Sequence, residues 1–333
     1  MSRESARRGG ALILVLVLLS VLSVVAIESM RRAQIEIESA GAYLGGVQCR
    51  ELCTSGLRLA AALLEHDLRE NSHDSLLDIW VTFFEDENAD KAVEFETGEL
   101  EVEIRPENGG FPLEALNSET GRGVMERLLT GQPYGLEQEA AARLVAAMRD
   151  WIDADGEGQF EQPAYAAEGL TQRPRNAPMA SQDEMLLVLG MPRELYFGNG
   201  QVPGLRELVT VHGNGRININ TAPALLLAAM CPADVDRATA AGLAMEMVEY
   251  RRDPANTERL SAPDWYRTAL PGYAQVTLPA ELVSVQSDVF RVIVTAQVGA
   301  VRRSLRAVLG RKQGQPEPDK PVSRVILERK VLG

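Results

Sequence analysis

The first thirty residues set the terms for everything downstream. Arg3, Arg7 and Arg8 and the pair Gly9-Gly10 lead into Ala11 through Ile27, an apolar run that carries no charge. That run approaches the ~20 residues a helix needs to span the hydrocarbon core of a bilayer. A helix satisfies its backbone hydrogen bonds internally, so such a segment can lie in lipid. A secretory signal peptide places its small-residue cut site after the apolar region. Here the small residues precede it, so a cut at glycine removes only the basic leader and keeps the helix. The leader arginines favour a cytoplasmic N-terminus, although Arg31 and Arg32 beyond the run weaken that bias. The sequence has no second long apolar run, which places the remainder on one side of the membrane.

The 333 residues leave room for one or two folded domains beyond the membrane segment. The formal net charge is -13; loss of residues 1–10, with three arginines and one glutamate, takes it to about -15. That balance argues against general nucleic-acid binding, which needs basic residues to neutralise phosphates. Cys49, Cys53 and Cys231 give no disulfide framework. Cys49 and Cys53 stand one helical turn apart, a spacing that suits one helix face better than a bridge.

Beyond Ile27, Met30, Ala33, Ile37, Ala40, Leu44 and Val47 form one helical stripe, and Leu52, Leu59, Leu63, Leu64 and Leu68 continue it after a phase shift. Gly41, Gly45, Gly46 and Gly56 each cost ~1 kcal/mol against alanine, so a bend or loosening is expected there. The pattern predicts one long helix, in lipid at first and packed on a soluble domain later. Residues 71–92 are mixed and acidic, with a loop at Asn71, His73 and Asp74; Trp80, Phe83 and Phe84 are core or short-helix candidates. Leu100, Val102 and Ile104 alternate with glutamates as a half-buried strand does, and Arg105–Gly110 is a turn cluster.

From Phe111 to about Pro271 the chain turns to short helices and proline-glycine loops. Two helices are expected to end at Asp150-Trp151-Ile152-Asp153. Another begins at Ser181, with Glu184 in the capping-box position, and stops at Gly190 and Pro192. Thr221 and Pro223 mark the start of a helix over Leu225–Met230. Asp288–Val298, Val301–Leu309 and Val322–Val331 read as strands, the last two joined by the polar loop Lys312–Lys320. The fold class is therefore α+β: a long N-terminal helix on a small antiparallel sheet, with a large α-helical domain inserted between strands. The expected boundaries are a leader at 1–10, the helix at 11–70 with 11–27 in the membrane, a sheet from 71–110 and 273–333, and the inserted domain at 111–272.

A basic leader, glycine at the cut and a hydrophobic helix resemble the class III signal of type IV pilins and pseudopilins. The resemblance implies cleavage by a prepilin peptidase between Gly10 and Ala11, with methylation of the new N-terminus; a cut after Gly9 is the lesser alternative, and a plain membrane anchor the bland one. Ordinary members carry glutamate at the fifth mature position, where this chain has Val15. Phe111–Asn117, Asp150-Trp151-Ile152-Asp153-Ala154-Asp155 and Gly215–Pro223 then resemble, in that order, the type II secretion minor pseudopilin K family, whose members also lack that glutamate. Ala11 stands where phenylalanine or methionine is common, which leaves N-methylation open.

The resemblance implies a non-enzymatic tip subunit that initiates or caps a pseudopilus used for protein export. It would be a single-pass inner-membrane protein with a periplasmic C-terminal domain. Its partners would be other minor pseudopilins, the pseudopilus shaft and the peptidase. An unpaired charge at the bilayer centre costs ~2.5–3.5 kcal/mol on insertion scales, so a subunit with nothing above it does better with Val15 than with a carboxylate.

Asp150, Asp153, Asp155, Glu157 and Glu161 form an acidic loop with carboxylates at alternate positions around Gly156, as hard-cation loops have. Ala164 stands where an EF-hand would complete its set with glutamate. A solvated acidic turn explains the same residues equally well; the family resemblance favours calcium. Ile217–Ala222 also resembles the start of a helix-hairpin-helix module, with membrane-anchored DNA uptake as the alternative function, but the chain's charge opposes it. His66, His73 and His212 show no metal-ligand spacing, and no nucleophile elbow or phosphate loop is present. His66 and His73, among Glu65, Asp67 and Asp74, are expected on a solvated face, and Arg302, Arg303 and Arg306 on exposed strand positions.

Overall fold

A computed structural model describes residues 3–83, 92–95, 98–311 and 323–331, with side chains described at 12–83, 95 and 98–311. Phe84 and the loop from Lys312 to Lys320 fall outside the described residues. Helix α1 spans Arg3–Glu70, about 100 Å at 1.5 Å per residue. It runs without interruption through Gly41, Gly45, Gly46 and Gly56, so the glycines do not break the helix. Two of these glycines serve contact instead. A Cβ on Gly56 would lie 2.6 Å from Val294 Cγ1, and one on Gly45 would lie 3.1 Å from Val301 Cγ2. Glycine therefore lets the helix backbone settle onto the sheet, and the propensity cost is offset by packing.

After α1 come the short helix α2 (Ile79–Thr82) and strands β1 (Ala92–Phe95) and β2 (Gly98–Pro106). Much later the chain adds β7 (Val289–Val298), β8 (Val301–Arg311) and β9 (Ser323–Val331). These five strands form one antiparallel sheet in the order β1-β2-β7-β8-β9. The register sets Leu100 opposite Ala296, Val102 opposite Val294 and Ile104 opposite Val292. All six are buried, together with Leu305, Ala307 and Leu309, against Cys49, Leu52, Cys53, Leu57, Ala60, Leu63 and Leu64 of α1. Period-two and helical patterning thus meet in one core. Trp80 closes its end, edge-on to Phe290 at 5.5 Å between ring centroids.

Everything from Glu107 to Asp288 is inserted between neighbouring strands β2 and β7. The insertion carries β3 (Phe111–Pro112), α3 (Glu119–Thr130), α4 (Gln138–Ile152), α5 (Gln162–Ala167), α6 (Arg193–Phe197), β4 (Val209–Thr210), β5 (Ile217–Asn218), α7 (Ala224–Met230), α8 (Arg237–Tyr250), α9 (Trp265–Ala269) and β6 (Val283–Ser284). Two short parallel pairs, β3 with β4 and β5 with β6, stitch it together. It has its own core, including Leu116, Met125, Met148, Tyr165, Leu226, Met247 and Trp265. Ser118 caps α3 by accepting from Gly121 N at 3.0 Å, and Asp236 caps α8 by accepting from Ala238 N and Thr239 N at 3.0 Å each.

Several local expectations are corrected. Residues Gln182–Leu187 form a 3-10 helix, and Ser181 makes no side-chain cap. Glu184 instead accepts from Ala180 N at 2.9 Å and pairs with Arg175 at 3.1 Å, so no capping box forms. Pro223, not Thr221, occupies the N-cap of α7; the Thr221 hydroxyl donates to Asn218 O at 3.3 Å. His66 is exposed, but His73, Asp67 and Asp74 are buried. The reason is Arg311 at the end of β8, whose guanidinium draws both aspartates inward.

Candidate functional site

Two regions can carry function, and they lie at opposite ends of the chain's logic. The first is the free part of α1. From Leu12 to Leu44 the helix stands clear of the folded body, with every residue exposed. It is long and apolar enough to cross a membrane, and none of its most apolar window is buried inside the protein. Gly10 and Ala11 lie in the helix backbone, outside the side-chain description. Val15 is 48% exposed among apolar neighbours. Beyond the charged residues Glu28, Arg31 and Arg32, the large apolar side chains of Ile35, Ile37, Tyr43 and Leu44 are also exposed. That is more apolar surface than a monomer in water leaves uncovered.

The second is the acidic loop after α4. The structure buries Asp150, Asp153 and Glu161 and leaves Asp155 and Glu157 exposed. Asp150 Oδ2 accepts from Phe160 N at 2.8 Å, and a Cβ on Gly158 would lie 2.3 Å from the same oxygen. Glycine at 158 is what lets the loop fold over that carboxylate. Asp155 Oδ1 accepts from Glu157 N at 2.9 Å, a local turn. Both carboxylate oxygens of Asp153 and Oε1 of Glu161 are buried without a hydrogen-bond partner. The nearest cation, Arg149, reaches Asp153 only at 3.6 Å.

The electrostatics agree with the geometry. Burial, then repulsion from Asp155 and Asp150, pushes the Asp153 carboxyl above its ordinary value. Burial also raises Glu161, helped by the charges of Asp150, Asp153 and Asp155 and opposed by a hydrogen bond from Asn176. Sequence reasoning missed Asn176. Its backbone sits at φ 49°, held by a bond from its N–H to Trp151 O at 3.0 Å. Its amide donates to Asp155 O and to Glu161 Oε2, while its Oδ1 is buried and unpartnered. An asparagine tolerating the left-handed region inside a Pro/Gly/Arg loop was the available signal. Orphaned, mutually repelling oxygens of this kind fit a hard divalent cation such as calcium, which takes oxygen ligands only.

The asparagines of the Ile217–Ala222 segment face inward. Asn218 and Asn220 are fully buried. Asn218 donates to Asp74 O at 3.1 Å and Ser287 Oγ at 3.0 Å, and its Oδ1 accepts from Asn220 N at 2.9 Å. Asn220 donates to Leu260 O and accepts from Trp265 Nε1. These residues hold the inserted domain together, as expected of side chains that tie a turn, and present nothing to a phosphate. Among Arg302, Arg303 and Arg306, the first and last are exposed and Arg303 is half-buried.

Comparison with known proteins places these features. Residues 109–198 match the family model for type II secretion system protein K. Type II secretion system protein K of Aeromonas hydrophila is 26% identical over 330 residues, covering 92% of this chain and 93% of that protein. The protein of the same description from Pseudomonas aeruginosa is 28% identical over 249 residues, 70% of each chain. The fold is also that of a chain in the solved GspK–GspI–GspJ complex from the enterotoxigenic Escherichia coli type 2 secretion system. That match has a TM-score of 0.60 and 18% identity, over 91% of this chain and 99% of the other. In its inserted domain, along nearly its whole length and in its fold, the chain is similar to the type II secretion system protein K family.

Proposed function

We propose that this protein is the minor pseudopilin at the tip of a type II secretion pseudopilus, a structural subunit without an enzymatic role. The observation that carries this reading is the free half of α1: an exposed apolar rod with Val15 at the position where ordinary pilins carry glutamate. In a pseudopilus that carboxylate neutralises the N-terminal amine of the subunit above it. A subunit with no neighbour above has no use for it. The bulk of the insertion between β2 and β7 supports the same place, since it would crowd a close-packed shaft. The membrane helix would enter the inner membrane with its N-terminus cytoplasmic and the folded body periplasmic. Other minor pseudopilins would cover Ile35, Ile37, Tyr43 and Leu44.

Maturation follows from the leader. Prepilin peptidase would cut between Gly10 and Ala11, leaving Ala11 as the amine that enters the filament. Mass spectrometry of the N-terminus, in cells with and without the peptidase, is expected to show Ala11 first only when the enzyme is present. An intact Met1 start in both strains would make the helix a plain anchor.

The tip assignment has its own test. Val15→Glu should lower secretion and pseudopilus initiation by placing an unpaired carboxylate in the apolar run that enters the bilayer. Normal assembly of this variant would show that residue 15 does not set the tip position. The acidic loop would bind calcium through Asp150, Asp153, Glu161 and the buried Oδ1 of Asn176, with Asp155 and Glu157 at its open side. The bound ion would supply charge neutralisation for the buried oxygens and fix the loop after α4.

A further inference from the structure

A second group of buried carboxylates lies far from that loop, where α1, the sheet and the inserted domain meet. Asp67 comes from the last turns of α1, well beyond the membrane segment, and Asp74 and Asp78 from the connection to α2. All three are buried, and each can offer an oxygen within 4.8 Å of the others. Arg311 of β8 is the cation between them. Its Nη1 donates to Asp67 Oδ2 at 3.3 Å and its Nη2 donates to Asp74 Oδ1 and to Ser287 O at 3.0 Å. Its plane lies 4.8 Å from the centre of the Phe290 ring.

The remaining contacts are those of a joint. Asp74 Oδ2 accepts from Ser287 N at 2.6 Å, Asp74 N donates to Val285 O at 2.8 Å, and Asp74 O accepts from Asn218 of the inserted domain. Asp78 accepts from Ser75 N and Ser75 Oγ at 2.8 Å and from Trp80 Nε1 at 3.2 Å. Asp67 Oδ1 accepts from Asn71 at 2.8 Å. Breaking this cluster would release α1, the β6–β7 connection and the Asn218 turn together.

The charges do not balance. Three carboxylates face one guanidinium, and even a protonated His73, which is buried beside Asp78 with neither ring nitrogen bonded among the described residues, leaves an excess negative charge. Asp288, at the start of β7, turns its carboxylate to Asn108 and adds no cation. Like charges this close in a buried site cannot all ionise without large cost.

We propose that this buried carboxylate cluster retains one proton, held by Asp67 and Asp78 beside Asp74, and that this proton locks the pilin-like body to the inserted domain. The lock closes when the proton is held and loosens as pH rises. Burial first, then the charges of Asp78 and Asp74, push Asp67 up to about 7, with Asn71 and Arg311 pulling the other way. Asp78 is raised as well, by burial and then by Asp74, against the hydrogen bonds from Ser75. For acids raised on folding, the contribution to stability is complete below the unfolded value of 3.8 and is lost as pH climbs through the folded value. The window therefore runs from weakly acidic to neutral pH. Asp67 and Asp78 titrate as coupled groups.

The test uses the full chain in detergent with a chelator present, so that the acidic loop holds no cation. Hydrogen exchange of residues 71–78 and 283–289, corrected for intrinsic rates, should show the opening equilibrium rising up to tenfold per pH unit between about pH 5 and 7. Asp67→Asn keeps the shape and removes the ionisable group; its protection should be nearly independent of pH across that window and exceed the wild type at pH 8. Equal pH slopes in the two proteins overturn the proposal. If the variant does not fold, a wild-type profile that is flat from pH 5 to 8 overturns it alone. Protection at pH 8 that rises with added manganese in an Asp153→Asn background would make the cluster a metal site, and also overturns the proton lock.

Discussion

Arg311→Met is expected to destabilise the folded protein by about 3–5 kcal/mol, the range for removing one partner from a buried ionic group. Methionine restores most of the apolar stem, so the loss isolates the guanidinium. What remains is three buried carboxylates without a cation, and the carbonyls of Leu64 and Ser287 lose the hydrogen bonds that Arg311 now donates. Denaturant midpoints for the full chain in detergent would read the change. Adding Asp67→Asn to the Arg311→Met variant should recover part of it, because Arg311 and Asp67 are in contact and their effects are not additive. A loss below about 1 kcal/mol, the scale of an exposed pair, would mean that the cluster holds its charge in some other way.

Asp153→Asn should change sign with calcium. Without the ion, the wild-type carboxylate is buried, lacks a hydrogen-bond partner and is repelled by its acidic neighbours against a single long contact to Arg149, and the amide should stabilise by about 1 kcal/mol. With calcium at 100 times its dissociation constant, the wild type gains about 2.7 kcal/mol from binding, and the variant should forgo most of that. Thermal unfolding of both proteins in chelator and in calcium gives the four midpoints, and the two curves should cross. Protons compete for the same oxygens, so calcium affinity should fall as pH drops through the raised values of Asp153 and Glu161. A calcium-independent midpoint in the wild type would make the loop a plain acidic turn.

The elements read most easily from the sequence are those whose patterning is local. Leu100, Val102 and Ile104 alternate with glutamates, and each is buried opposite its partner in β7. The uncharged run from Ala11 to Ile27 likewise needs no tertiary context. Gly56 misled because its cost in a helix is local, whereas its benefit lies against Val294, far away in the chain. Glu184 and Thr221 misled in a related way. Each had a local capping geometry available, and each was taken by another nearby partner, Arg175 and Asn218.

The acidic loop was legible as a cluster, because its carboxylates are neighbours in sequence. Which of them turn inward was not, since that depends on Gly158 folding over Asp150 and on Asn176 returning from the next loop. The Asp67 cluster was illegible for the same reason at greater range. Asp67, His73 and Asp74 look like solvated helix-end residues until Arg311 arrives from the far end of the sheet.

The unbroken course of α1 has a mechanical consequence. Between Glu28 and Leu44 the helix crosses about 24 Å of open space at 1.5 Å per residue, and it then docks on the sheet from Gly45 onward without a hinge. A stalk of this kind transmits angle. A tilt that the bilayer or a neighbouring helix imposes on the first turns is passed along the helix to the folded body, and the displacement it produces there grows with the length of the stalk. The attitude of the inserted domain, and the face it turns outward, is then set at the membrane.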